Sequence, residues 1–290
     1  MVKKIIFVFL ITAIFLYNLS IYYIDKSISQ TQGDAIYNSC HKIWSSRGVY
    51  TTKGEQNSLV SIQRAFDDGY AGVEIDFYYD VKRDKFILSH SKPKKDKNGV
   101  FQYSLKDGKL LTLEEVFSKL GENHYFWLDY KNLDRISYSE TDKAIKRLDK
   151  ISDIYTLKER IYIEGSTPIK LSKYTKSGYK TILAFQPLKE KNIFSSISSN
   201  IYKLLYYSFD ISAVAMPYGP IDNPKYGKTT QENFKSIPTF LFHVPTDIKL
   251  LKALNTMQDV RVILAGRDKS VRLADVNMCQ DKVKSDKIRE

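Results

Sequence analysis

The chain is poor in cysteine, histidine, glycine and proline. Two cysteines, Cys40 and Cys279, among 290 residues exclude a disulfide scaffold and any Cys-rich zinc module. Thirteen Gly and eight Pro are too few for a collagen-like or low-complexity chain. Only one long uncharged apolar run occurs, so a polytopic membrane protein is excluded. The sequence has no Gly-x-Ser-x-Gly nucleophile elbow and no His-Glu-x-x-His zinc motif. What is there is ordinary for a large globular core, with 43% hydrophobic and 27% charged residues and 21 Tyr and 15 Phe. Lysine and arginine exceed the acids by 45 to 33, a formal charge of +12. Such a surplus favours anionic partners such as phosphate esters, lipid headgroups or nucleic acid, and by itself selects none.

The apolar run extends from Ile5 to Ile24, between Lys3-Lys4 and Asp25-Lys26. It matches the roughly 20 residues that cross a bilayer as a helix. A cleaved signal has a shorter apolar region and a small-x-small cleavage site. Here bulky Leu19, Ile21, Tyr22 and Tyr23 occupy that place, so an uncleaved signal anchor is expected, with secretion as the outcome if it is cut. Lys3 and Lys4 would stay cytoplasmic and the rest would face the extracytoplasmic side. There Cys40 and Cys279 could pair, although two unrelated thiols is the preferred reading. The expected division is an anchor over 1–25, a tether over 26–34 and one folded domain over 35–290.

Within that domain, β-branched and aromatic runs alternate with helix-like stretches. Strands are expected at Ala35–Cys40, Gly72–Phe77, Lys85–His90, Tyr125–Tyr130, Arg160–Glu164, Lys180–Phe185, Ile211–Met216, Pro238–Phe242 and Arg261–Ala265. The alternation predicts an α/β fold, a (β/α)8 TIM-type barrel preceded by a transmembrane helix, with Lys85–His90 as an accessory strand. An open doubly wound sheet would need a Gly-rich loop after the first strand, and Cys40-His41-Lys42-Ile43-Trp44 is not one.

Barrel active sites lie at the C-terminal ends of the strands. Strand ends here carry His41-Lys42, Glu74-Ile75-Asp76, His90, Asp129-Tyr130-Lys131, Glu164, Gln186, Tyr218, His243 and Asp268. Glu74 and Asp76 are two apart on one strand and point the same way. Buried without a partner they would be costly, and a hard cation such as Mg2+ or Ca2+, held with Asp129, would relieve that cost. The bland alternative is an ion pair with Lys131. His41 and His90 can serve as general base and general acid, while Lys42 and Lys131 supply positive charge beside a phosphate. His124 precedes its strand and is expected to be structural.

This order of residues resembles the glycerophosphodiester phosphodiesterase family. That family has His-Arg after the first strand, a Glu-Asn-Thr helix start, a Glu-x-Asp strand, a strand-end His and a Glu-x-Lys strand. Here His41-Lys42, Glu55-Gln56-Asn57, Glu74-Ile75-Asp76, His90 and Asp129-Tyr130-Lys131 follow in the same order over about residues 36–133. The resemblance implies His41 and His90 as the acid/base pair, Glu74, Asp76 and Asp129 as metal ligands and Lys131 as a phosphate contact. Lys42 stands where the family has Arg, and Asp129 where it has Glu. A second alignment lays Ser46-Arg47-Gly48 on the family's His-Arg-Gly and deletes the first histidine. His41 is preferred because it ends an apolar run. The expected function is a membrane-anchored, metal-dependent phosphodiesterase acting on glycerophosphodiesters or a lysophospholipid-type substrate, with no nucleic-acid role. The alternative is an inactive barrel of the same ancestry that binds a phosphorylated glycan or lipid in envelope assembly.

Overall fold

A computed structural model describes residues 2–30, 36–106, 108–265 and 276. Helix α1 spans Val2–Gln30, followed by strand β1 (Ile43–Ser46), helix α2 (Leu59–Asp67), β2 (Gly72–Asp80) and β3 (Lys85–Leu88). A small hairpin of β4 (Lys94–Lys95) and β5 (Phe101–Gln102) precedes α3 (Leu113–Leu120). Then β6 (Tyr125–Tyr130), α4 (Tyr138–Tyr155), β7 (Ile161–Gly165), α5 (Pro168–Lys176), β8 (Lys180–Ala184) and α6 (Ser195–Ser208) alternate. The rest is β9 (Ala213–Pro217), α7 (Lys228–Asn233), β10 (Thr239–Val244), α8 (Ile248–Thr256) and β11 (Val260–Ala265).

The parallel strands run in the order β1-β11-β10-β9-β8-β7-β6-β2, and β1 also pairs with β2, closing an eight-stranded barrel. The accessory strand β3 lies antiparallel on β2, with Phe77 opposite Leu88. The expected barrel and its accessory strand are therefore present. Helix starts follow local chemistry. Ser58, Thr112 and Ser137 each accept a hydrogen bond from the backbone three residues on, in reciprocal capping boxes.

Strand alternation separates two kinds of core. Val73, Ile75 and Phe77 on β2 and Phe126, Leu128 and Tyr130 on β6 face outward into a cluster shared with the helices. Trp44, Trp127, Tyr162 and Phe240 fill the interior instead. Gly72 is required there, because a Cβ would come 2.5 Å from Trp44 Cδ2.

The first strand differs from expectation. Ile36 and Tyr37 are buried but belong to no strand. They plug the N-terminal mouth of the barrel, where the Tyr37 ring packs 4.9 Å from both Trp44 and Tyr125. The Tyr37 backbone N–H donates to Tyr162 Oη at 2.9 Å, and its hydroxyl donates to the His41 carbonyl at 2.8 Å. The run expected to be the first strand thus supplies Ile36 and Tyr37 to a seal, and the strand follows it. Cys40 is disulfide-bonded, which overturns the reading of two unrelated thiols. Cys279, Asp268 and the chain from Gln280 onward lie outside the described residues.

The residues expected to form a tether are helical as far as Gln30. Ile24 and Ile28 are buried against the barrel's outer cluster, so α1 is packed into the fold as well as projecting from it.

Gly72→Ala is expected to destabilise the barrel by about 1–3 kcal/mol, the usual cost of overpacking a filled core. Urea unfolding should show a lower midpoint with an unchanged slope.

Candidate active site

The barrel's C-terminal face opens into a cavity of about 830 Å³ lined by Ser46, Arg47, Glu74, His90, Trp127, Asp129, Lys131, Glu164 and the segment Phe242–Thr246, among others. Sheet register assembles it. Ser46 is paired with Glu74, Asp76 with Asp129, and Asp129 with Glu164. Four neighbouring strands therefore bring their last inward-facing polar side chains to one level.

Asp76 is the centre. It is fully buried, and Arg47 Nε lies 2.7 Å from its Oδ2. Lys131 Nζ lies 2.6 Å from its Oδ1 and also pairs with Asp129. Asn57 Nδ2 donates to Asp76 Oδ2 at 2.8 Å, and the Asp76 backbone N–H donates to Asn57 Oδ1 at 3.1 Å. His90 Nδ1 stands 3.3 Å from Asp76 Oδ2. Burial works against ionisation, but the His90 contact and the Lys131 and Arg47 charges overcome it and hold the Asp76 carboxyl well below the usual range. The same carboxylates keep the Lys131 ammonium protonated in spite of its burial.

The other acids behave in the opposite sense. Burial, then the charges of Asp76 and Asp129, push Glu74 up to about 8. Asp129 and Glu164 are raised mainly by burial as well. Ser46 Oγ donates to Glu74 Oε2 at 2.8 Å, and Trp127 Nε1 donates to Glu164 Oε2. Four carboxylates thus face two fixed cations, Arg47 and Lys131, and the surplus of negative charge adds to burial in resisting ionisation. A dication would neutralise it. Glu74, Asp76 and Asp129 can each offer an oxygen, all within 4.8 Å of one another, an all-oxygen donor set suited to Mg2+ or Ca2+. The ion pair with Lys131 is present too, so one side of the set is already partly compensated.

Of the residues singled out in the sequence, Glu74, Asp76, His90, Asp129 and Lys131 come together. His41 and Lys42 do not, because both precede β1 and sit at the opposite mouth. Lys42 Nζ donates to the Met257 carbonyl at 2.7 Å, and burial, then the Arg261 charge, bring its pKa down to about 8. Residues Ser46 and Arg47 hold the strand-end positions instead, so it is the alignment set aside in favour of His41 whose residues reach the cavity. Gly48 is its signal. It has φ +80°, and a Cβ would lie 2.4 Å from the Ser61 backbone, so glycine is required where the chain turns off β1. Glu55 is likewise outside the cavity, bonded to Thr51 and Arg64. Asn57, held at φ 58°, was missed as the Asp76 clamp. His124 is structural as expected, stacked 3.6 Å from Phe66.

His243 also lines the cavity. It has φ 49° inside β10, where the register with β11 slips between Leu241 and Val244. A non-glycine residue in this conformation is strained, and bulges of this kind re-aim side chains beside active sites.

No protein-family model matches the chain, and no curated protein matches it in sequence. Its fold is nevertheless similar to those of solved glycerophosphodiester phosphodiesterases. One from Parabacteroides distasonis is 16% identical, with a TM-score of 0.55 over 79% of this chain and 93% of that one. Another from Agrobacterium tumefaciens is 10% identical, with a TM-score of 0.53 over 77% and 95%. At these identities the likeness is one of fold, and it agrees with the family resemblance read in the sequence.

The raised Glu74 carboxyl gives a stability signature. Between its unfolded value of 4.5 and about 8, the folded metal-free protein keeps a proton that the unfolded chain releases. Its contribution to stability therefore falls as pH rises through that window, by at most about 1.4 kcal/mol per pH unit. Glu74→Gln should remove that slope, so that in EDTA the variant melts above the parent near pH 8 and the two converge toward pH 5. Mg2+ or Ca2+ should raise the melting temperature of the parent only. An identical pH slope in both proteins would contradict this account.

Proposed function

We propose that the protein is a membrane-anchored, metal-dependent phosphodiesterase whose site is the C-terminal cavity. The observation that carries this reading is the pairing of an acidic, dication-suited cluster with Arg47, Lys131 and His90 in one cavity. Glu74, Asp76 and Asp129 would hold the metal, which when bound supplies Lewis-acid polarisation of a phosphoryl oxygen. Lys131 and Arg47 place positive charge beside the phosphate and stabilise charge developing on it. His90 faces Asp76 through Nδ1, which leaves Nε2 as the nitrogen that exchanges a proton with substrate. A displacement at phosphorus uses a base for the incoming oxygen and an acid for the leaving one. With His41 at the other mouth, His243 is the second imidazole available. Its strained position on the cavity wall supports that role.

Ser46 in place of the family's first histidine favours a second reading, a barrel of the same ancestry that binds a phosphorylated glycan or lipid without turnover. Membrane anchoring rests on the apolar helix over Lys4–Ser29. The disulfide-bonded Cys40 supports an oxidising, extracytoplasmic location for the barrel.

The test is hydrolysis of glycerophosphocholine, glycerophosphoethanolamine and a lysophospholipid by the full chain in detergent, with Mg2+, Ca2+ or EDTA. Metal-dependent turnover is expected, falling by about 10²–10⁴ in His90→Ala and in His243→Ala and unchanged in His41→Ala. Metal binding without turnover on any substrate, in the folded protein, would select the binding reading.

A further inference from the structure

Helix α1 is fixed along α6, and the direction of that contact has meaning. Asn200 Nδ2 donates to Tyr17 Oη at 3.1 Å. Lys203 Nζ, on a side chain only 2% exposed, pairs with Asp25 Oδ1 at 2.6 Å. Tyr23 packs edge-on against Tyr207, with ring centroids 6.4 Å apart. Tyr17 and Tyr23 on α1 thus meet Asn200 and Tyr207 on α6 in the same order, with the long Lys203 side chain reaching along to Asp25, and the helices run parallel. Because α6 follows β8, its first turn lies at the C-terminal face of the barrel, where the cavity opens. The part of α1 before Tyr17 therefore projects beyond that face.

Span length then sets the depth. Ile5 to Leu16 covers about 18 Å at 1.5 Å per residue, well short of the roughly 30 Å of a hydrocarbon core. A helix entering the bilayer near Lys4 stays in it until about Tyr23, so the stretch that contacts α6 is itself within the membrane boundary. The first turns of α6 and the loops beside them must then meet lipid, and their composition fits. Ile193 is 87% exposed, Phe194 56%, Ile197 49%, Ile201 49% and Ile221 57%. Exposed Lys189 and Lys191 flank them, matching an apolar surface with basic residues at headgroup level. The loops are joined, since the Glu190 N–H donates to the Pro224 carbonyl at 2.8 Å and the Lys191 N–H to Asn223 Oδ1 at 3.1 Å.

We infer that the C-terminal face docks on the bilayer through this rim, so that the cavity opens toward the lipid surface and takes a phosphodiester carried by a membrane lipid rather than one free in solution. This rests on the anchored-phosphodiesterase reading and narrows its substrate class.

The test uses the full chain in vesicles of phosphatidylcholine and phosphatidylglycerol with brominated acyl chains. The native Trp44 and Trp127 are each 1% exposed and give the background emission. Ile193→Trp and Phe194→Trp should each add blue-shifted emission that bromine quenches. Ile154→Trp, at a 67% exposed position in the last turn of α4 and so at the opposite face, should emit from water without quenching. Water-like emission from both rim variants, in chains that float with vesicles in high salt, would overturn the docking and leave the anchor standing. Failure to float would overturn the anchor and the docking together. A separate arm compares turnover of a vesicle-borne lysophospholipid with that of soluble glycerophosphocholine. Preference for the soluble diester, with rim tryptophans quenched, would overturn the substrate assignment alone.

Discussion

One buried carboxylate holds the cavity end of this barrel together. Asp76 has no exposed surface, and an ionised group in that position is tolerable only when it is compensated on every side. Its partners come from four separate places. Arg47 leaves the end of β1, Asn57 precedes the cap of α2, His90 follows β3 and Lys131 follows β6. Each of these segments would otherwise be a loop free to choose its own path. Their common interest in a single charge fixes where the chain turns at the mouth of the cavity.

The remaining acids are placed by the same sheet register but are less fully compensated: Asp129 shares Lys131 with Asp76, and Glu74 and Glu164 have only the neutral donors Ser46 and Trp127. Glu74, Asp129 and Glu164 are gathered around a centre whose cations are already engaged with Asp76. A core built for stability alone would not collect them. Functional sites are where local electrostatic cost is accepted because a ligand relieves it, and a cation of charge two would relieve it here. The aromatic interior beneath, with Trp44, Trp127, Tyr162 and Phe240 packed together, closes the barrel below the charges and keeps the cavity one-ended.

Most of the barrel was legible in the sequence because its strands keep strict alternation. Tyr125–Tyr130 shows outward Phe126 and Leu128 between inward Trp127 and Asp129, and the Glu-x-Asp of β2 reads the same way. The first strand was not legible. It has only four residues, two of them serine, and follows a run with better strand character whose apolar side chains serve as a plug. Misplacing it carried His41 and Lys42 to the wrong end of the barrel and hid Arg47. Asn57 was overlooked for a related reason. Its role depends on a left-handed backbone and on a contact to Asp76 across 19 positions, and no local pattern signals either. The extension of α1 past Asp25 escaped notice because a charged residue ordinarily marks the end of an apolar span, whereas here Asp25 has Lys203 waiting for it.

That last pairing bears on what the barrel would lose if α1 were cut away. Lys203 is buried, and its counter-charge is supplied by the helix that precedes the domain. Ile24 and Ile28 belong to the same packed cluster as Val214, Leu251 and Val260. A protease that removed α1 would strip a buried lysine of its partner and uncover apolar surface on the barrel wall. Shedding is therefore not a neutral event for this architecture. The released barrel would be a damaged one, and retention of the helix is written into the folding of the domain that follows it.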